Sequence, residues 1–262
     1  MGPSFNEQFD QHGAWRRAFA QQLKQLAEWM SNHDLMDAAV QERLQRLEGQ
    51  VRTDKVMVAF VAEFSRGKSE LINAIFFADY GRRIMPASAG RTTMCPTELG
   101  YDSALPPSLR LLPIETRLQM QGLADWRLKP ERWVEIALDV NNADQIAKAL
   151  EKVSEIRRVS IEDARALGFW HDDLTDENPV PDVDGLVEVP MWRHALINIP
   201  HPLLKQGLVI LDTPGLNAVG AEPELTVNLI PQAHAVVFIL SADTGVTRSD
   251  LSIWREHLAT ST

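Results

Sequence analysis

From Trp15 the apolar positions fall at Phe19, Leu23, Leu26 and Met30, and after a polar break at Ser31-Asn32-His33-Asp34 they resume at Met36, Val40, Leu44, Leu47 and Val51. Both series step 4, 4, 3, 4, the spacing that aligns side chains on one face of a helix. The pattern predicts two amphipathic helices folded back as a hairpin over residues 1–51. Such a hairpin needs a cover for its apolar stripe, either the domain that follows or the further helices of a bundle.

The period then changes. Val56-Met57-Val58-Ala59-Phe60-Val61 is a continuous apolar run, the mark of a strand buried on both faces of a sheet. Residues 71–77 read as the helix behind it, residues 208–211 and 235–240 repeat the strand pattern, and residues 225–230 and 249–258 supply later helices. Buried strands spaced by helices indicate an α/β fold over residues 52–262, with a doubly wound, mostly parallel sheet and helices on both faces. From Ser69 to Asp212 is 143 positions, far more than one crossover needs, so an insertion is expected at about 116–190. Inside it, residues 143–159 have helical spacing, and an acidic stretch with Pro179 and Pro181 reads as a loop.

Charge changes the picture only at that stretch. The 262 residues carry a net charge of −10, and between Ser160 and Pro190 nine acids stand against one base, Arg165. One solvated excursion therefore accounts for most of the acidity. No basic stripe points to nucleic acid. The single cysteine, Cys95, excludes an intrachain disulfide and a Cys-based zinc cluster, which suits the cytoplasm. No apolar run reaches the roughly 18 residues of a membrane span.

The chemistry lies at the ends of the predicted strands. Ala62-Glu63-Phe64-Ser65-Arg66-Gly67-Lys68-Ser69 sits between the first strand and its helix and matches a phosphate-binding loop, with Ala62 in place of the first Gly. Successive backbone N–H groups of such a loop face one concavity at a helix N-terminus, where polyphosphate is favoured. Gly67 permits close backbone approach, Lys68 reaches the β and γ phosphates, and the Ser69 hydroxyl is placed to bind Mg²⁺. The competing reading is a helix-capping Gly-Lys-Ser with no ligand. Asp212-Thr213-Pro214-Gly215 follows the second strand, where a nucleotide hydrolase needs a carboxylate near its metal and Gly215 could offer its N–H to the γ-phosphate; alone it would be a good turn. Between these, residues 90–97 carry three threonines. Thr93, with Thr92 as runner-up, is the candidate second hydroxyl ligand on a segment ordered by the γ-phosphate.

Phe64-Ser65-Arg66-Gly67-Lys68-Ser69 leading into Leu71-Ile72-Asn73-Ala74-Ile75, then Thr92-Thr93-Met94-Cys95-Pro96-Thr97-Glu98, then Leu211-Asp212-Thr213-Pro214-Gly215-Leu216 resemble the dynamin-like large GTPases, most closely their bacterial members. The resemblance runs from about Lys55 to the end and leaves about 116–190 uncovered, with the hairpin looking like the family's neck helices. It implies GTP binding and hydrolysis to GDP with Mg²⁺, stimulated when two copies dimerise across the nucleotide or assemble further. It also implies membrane remodelling through regions beyond this chain, hence a cytoplasmic protein peripheral at a membrane's inner face.

Residue by residue, Lys68, Ser69, Thr93, Asp212 and Gly215 match the phosphate and metal positions, with Glu63 to Ser69 lining the nucleotide. Ser65 falls where the family often places a catalytic Ser or Arg, and Arg66 beside it could supply positive charge to the transition state. Two departures stand out. Leu216 occupies the place where small GTPases often carry a water-orienting Gln, as it does in dynamin-like proteins. The Asn/Thr-Lys-x-Asp motif that reads guanine is absent before Thr262, so guanine preference comes from the resemblance alone and the chain reads as the incomplete GTPase domain of a longer protein. A P-loop ATPase and a nucleotide-dependent scaffold with little hydrolysis are the alternatives.

Overall fold

The computed structural model describes residues 5–33, 35–37, 40, 41, 43, 44, 47, 51, 55–62, 66–86, 95–172, 178–213, 233–243 and 245–255. Helix α1 spans Phe5–Asn32 and so begins ten residues before the periodic stripe does. Asp37 then caps a return, its carboxylate accepting from the Val40 N–H at 2.7 Å, and helical residues recur from Val40 to Val51. Leu23 and Ala27 of α1 face Met36 and Leu44 across a cavity of about 310 Å³. The predicted stripe is only partly covered, since Trp15 is 57% exposed and stacks on Phe19 at 5.3 Å. Among the residues of α1 whose burial is described, the buried ones are the small Gly13 and Ala20, one face with Arg16, whose guanidinium donates to the Gln206 carbonyl at 3.3 Å.

After the hairpin the chain builds β1 (Val56–Ala62), α2 (Lys68–Phe76), β2 (Thr97–Gly100), β3 (Ser108–Pro113), α3 (Leu123–Arg127) and β4 (Val134–Ala137). It continues with α4 (Ala143–Glu151), β5 (Ile156–Val159), α5 (Ile161–Ala166), β6 (Val187–Pro190), β7 (Trp192–Asn198), α6 (Pro202–Lys205) and β8 (Leu208–Asp212). The last described elements are β9 (Ala235–Ile239) and α7 (Arg248–Ile253). Seven strands form one sheet in the order β4-β3-β7-β2-β8-β1-β9.

The sheet is mixed, which corrects the expectation of a mostly parallel one. Strands β8 and β9 run parallel to β1, and β7 runs parallel to β2. The β2–β8, β3–β4 and β3–β7 pairs are antiparallel. Connection length explains the difference, because a parallel crossover needs about a dozen residues or more. Only residues 199–207 join β7 to β8, so the chain returns antiparallel on the far side of β2. Asn198 pins the other short link, accepting from the Asp102 N–H at 2.7 Å and donating to the carbonyls of Asp102, Leu105 and Pro106.

Strand β8 is buried along its whole length and β1 over its second half, as their unbroken apolar runs require. Strand β9, with an equally apolar run, is instead an edge strand, with Val236 37% exposed. The stretch read as an insertion divides in two. Its first part joins the main body, with β4 in the sheet and Ile146, Leu150 and Val153 in the main core. The helix expected over residues 143–159 ends at Glu151, and β5 follows. Strand β5 pairs with β6 as a separate hairpin, and Val159, Ala164, Leu167, Phe169, Val187 and Val189 close a small core of their own with Ile114. The acidic excursion is thus bracketed by structure. Arg158 binds Asp184 at 2.6 Å as well as Asp182, while Val180 and Val183 stay exposed.

Candidate phosphate and metal site

Strands β1 and β8 are parallel neighbours, with Phe60 opposite Asp212, so the segments that follow both strands emerge on the same side of the sheet. Gly67 takes φ 84° as it enters α2, a left-handed conformation that glycine adopts without the clash a Cβ would bring. Among the described residues no side chain caps that helix start, and its N–H groups are the kind that bind anionic ligands. Lys68 and Ser69 open the helix. Ser69 is 8% exposed.

The Lys68 ammonium lies 3.2 Å from an oxygen of Asp212, with side chains 10% and 3% exposed. Apart from this ion pair, neither Asp212 oxygen accepts a hydrogen bond from the described residues. A buried carboxylate with unfilled lone pairs suits a hard, hydrated cation such as Mg²⁺. The Thr213 hydroxyl donates to the Phe60 carbonyl at 2.9 Å and so staples the end of β8 to β1, fixing the carboxylate beside the lysine.

On the other flank of Asp212 stands Thr97, its antiparallel partner. The chain that carries the candidate threonines therefore enters the sheet next to Asp212. Cys95, just before it, is fully buried, and burial pushes its thiol up to about 12, which leaves no thiolate for nucleophilic chemistry. One residue further along β2, Glu98 is 6% exposed and accepts from His194 Nε2 at 2.9 Å while pairing with Arg127. Burial works to raise the Glu98 carboxyl, but the His194 hydrogen bond and the His194 and Arg127 charges outweigh it and hold it below the ordinary carboxylate range.

Of the residues the motifs nominate, Gly67, Lys68, Ser69 and Asp212 are brought together, and Arg66 sits at their edge, half-buried. Glu63, Phe64, Ser65, Thr93 and its runner-up Thr92, and Gly215 lie outside the described residues, as does the helix expected at residues 225–230. Motif reading assigned no role to Thr213 or Asn73. The signal for Asn73 was present: a polar side chain at a helical position next to Ile72 and Phe76, where an apolar residue belongs. Among the described residues no cluster of three or more His, Cys, Asp or Glu side chains could hold a metal by itself, and no helix is long and apolar enough to cross a membrane.

Comparison with known proteins bears on the family of the chain. A curated bacterial dynamin-like protein of Nostoc punctiforme is 36% identical over 62 residues, 24% of this chain and 8% of the relative. A chain from a solved structure of an oligomerised bacterial dynamin pair, described as a mechanism for long-range sensing and tethering of membranes, superposes with a TM-score of 0.50. The sequences are 14% identical, and the match takes in 93% of this chain and 30% of the other. A second structure of such a pair gives a TM-score of 0.49 at 13% identity, over 98% and 37%. The chain thus spans between 8% and 37% of the length of these relatives. The Dynamin family model matches residues 58–261, from the first strand through the phosphate loop and Asp212 to the last helix, and the chain belongs to that family.

Proposed function

We propose that this chain is the nucleotide-binding part of a dynamin-like GTPase, in which residues 52–262 bind GTP with Mg²⁺ and hydrolyse it to GDP and residues 1–51 form a neck-like hairpin. The observation that carries the reading is the Lys68–Asp212 pair at the opening of α2, a largely covered ammonium against a buried carboxylate whose oxygens accept no hydrogen bond from the described residues. In this role Lys68 leaves Asp212 for the β and γ phosphates. The N–H groups of Gly67, Lys68 and Ser69 would cradle the same oxygens, and the Ser69 hydroxyl, Asp212 and Thr93 would hold the cation. The chemistry that Mg²⁺ would supply there is neutralisation of negative charge on the phosphates. Gly215 offers its N–H to the γ-phosphate.

Ser65 and Arg66 stabilise the transition-state charge, and since Leu216 cannot orient water as a Gln would, slow basal turnover is expected. Two copies meeting across the nucleotide would complete the site and accelerate it. A role at a membrane, peripheral and reached through other regions of the protein, agrees with the membrane-tethering description of the solved dynamin pair.

The test is a titration of fluorescent GTP with Mg²⁺, with GTP and ATP as competitors and Lys68→Ala as control, followed by turnover measured against protein concentration. GTP-selective, Lys68-dependent binding and a turnover that rises faster than linearly with concentration are expected. Displacement by ATP as readily as by GTP would overturn the guanine assignment, and binding without turnover at any concentration would overturn the hydrolase.

A further inference from the structure

Asn73 lies on the third helical residue past the phosphate-site turn of α2 that bears Glu70, and it is 8% exposed between Ile72 and Phe76, both in the main core. Its side chain makes four hydrogen bonds, all to backbone. The amide nitrogen donates to the Ser69 carbonyl at 2.9 Å and to the Met85 carbonyl at 3.0 Å. The amide oxygen accepts from the Ile84 N–H at 2.9 Å and the Met85 N–H at 2.8 Å. Both N–H donors and both lone pairs of the amide oxygen are thereby used.

A second clamp runs beside the first. Arg83 donates through Nε to the Met85 carbonyl at 3.2 Å and pairs with Glu70, in the first turn of α2, at 2.6 Å. The backbone at Ile84–Met85 is therefore tied to the phosphate-site helix from two sides, although it is neither helix nor strand itself. Beyond Pro86 the chain leads to Thr92 and Thr93, and it re-enters the sheet at Pro96, whose carbonyl accepts from the Ala195 N–H at 2.9 Å. The upstream root of the threonine segment is thus attached to the element that carries Ser69, and the downstream root, held by Ala195 of β7, opens β2, whose Thr97 pairs with Asp212.

An asparagine inside a helix costs helix propensity and, in a core, demands full satisfaction. An apolar residue would fill the same space at lower risk, but it could not bond both Ser69 and Met85. We infer that Asn73 is a positioning residue for the phosphate site: it sets the root of the threonine segment in register with Ser69, and Arg83 reinforces that register. The inference rests on the nucleotide-hydrolase reading above and deepens it.

The experiment compares Asn73→Ala, Asn73→Asp and Arg83→Ala in the full 262-residue chain. It measures affinity for GDP, affinity for a non-hydrolysable GTP analogue with Mg²⁺, kcat and KM, with thermal melts to show that each variant is folded. Arg83 is 43% exposed, so its variant keeps the test open if the Asn73 substitutions fail to fold. GDP does not engage a γ-phosphate-dependent segment, so GDP affinity is expected to stay within about twofold of wild type. Misplacement of the threonine root is expected to lower kcat and analogue affinity, on the order of tenfold to a hundredfold for Asn73→Ala and about threefold for Arg83→Ala. Asn73→Asp, which keeps the acceptor and loses the donor, falls between Asn73→Ala and wild type.

Parallel losses of GDP and analogue affinity, or wild-type turnover in folded Asn73 or Arg83 variants, would overturn the inference while leaving the nucleotide reading intact. A wild-type chain that binds neither nucleotide would overturn both.

Discussion

Removing Lys68 asks how far charge holds the phosphate site together in the free protein. The Lys68 and Asp212 side chains are 10% and 3% exposed and pair at 3.2 Å, and the carboxylate takes no hydrogen bond from the described residues. Truncating one member of a buried pair strands the other, at about 3–5 kcal/mol. Lys68 is the more exposed member, so water admitted by an alanine would hydrate Asp212, and the lower end, about 3 kcal/mol, is expected. At about 2–4 °C per kcal/mol for a chain of this size, nucleotide-free Lys68→Ala should melt roughly 6–12 °C below wild type. Asp212→Asn should cost less, because the remaining ammonium can reach solvent.

The double variant should then lose less than the sum of the two single losses, by about 1–3 kcal/mol. Calorimetry or urea unfolding of the four proteins closes this cycle. A Lys68→Ala melt within about 1 °C of wild type, or strictly additive losses, would refute the claim that the pair carries stability. Nucleotide affinity is a separate readout. The double variant regains stability but not binding, since no cation is left for the phosphates.

Three further outcomes are expected. Glu98, held low by His194 and Arg127, contributes stability that is present above the unfolded carboxylate pKa of about 4.3 and is lost as pH falls through its lower folded value. Glu98→Gln should therefore be less stable at neutral pH and show a flatter acid limb, and unchanged acid unfolding would contradict this. Gly67→Ala meets no atom within 4 Å but must adopt φ 84°, so only backbone strain of about 1–2 kcal/mol is expected; isothermal titration should show weakened nucleotide binding, and wild-type affinity would show that the turn relaxes freely. Leu150→Ala, at a side chain with 0% exposure in the main core, should cost about 2–5 kcal/mol in urea unfolding, whereas a loss under 1 kcal/mol would mean that α4 is a detachable insertion.

The residues alone determined where the candidate phosphate site is to be sought and which motif marks it. An apolar run, then Gly67-Lys68-Ser69, then helical spacing can be read directly, because the site is built from consecutive backbone at one strand end and a second carboxylate at another. The same locality made the helices at Phe5–Asn32 and Ala143–Glu151 legible as periodic stretches. Only the tertiary structure decided strand direction and neighbourhood. Hydropathy reports burial and not partner, so β8 and β9 read alike although one is central and the other an edge, and β5 looked helical because Ile156 continued the spacing of α4. It also decided which polar residues serve the site. Asn73 bonds Met85, twelve positions away, and Thr213 bonds Phe60, 153 positions away. Hydrogen bonds between distant segments leave no periodic trace in a sequence, since they exist only once the sheet and α2 have brought their ends together.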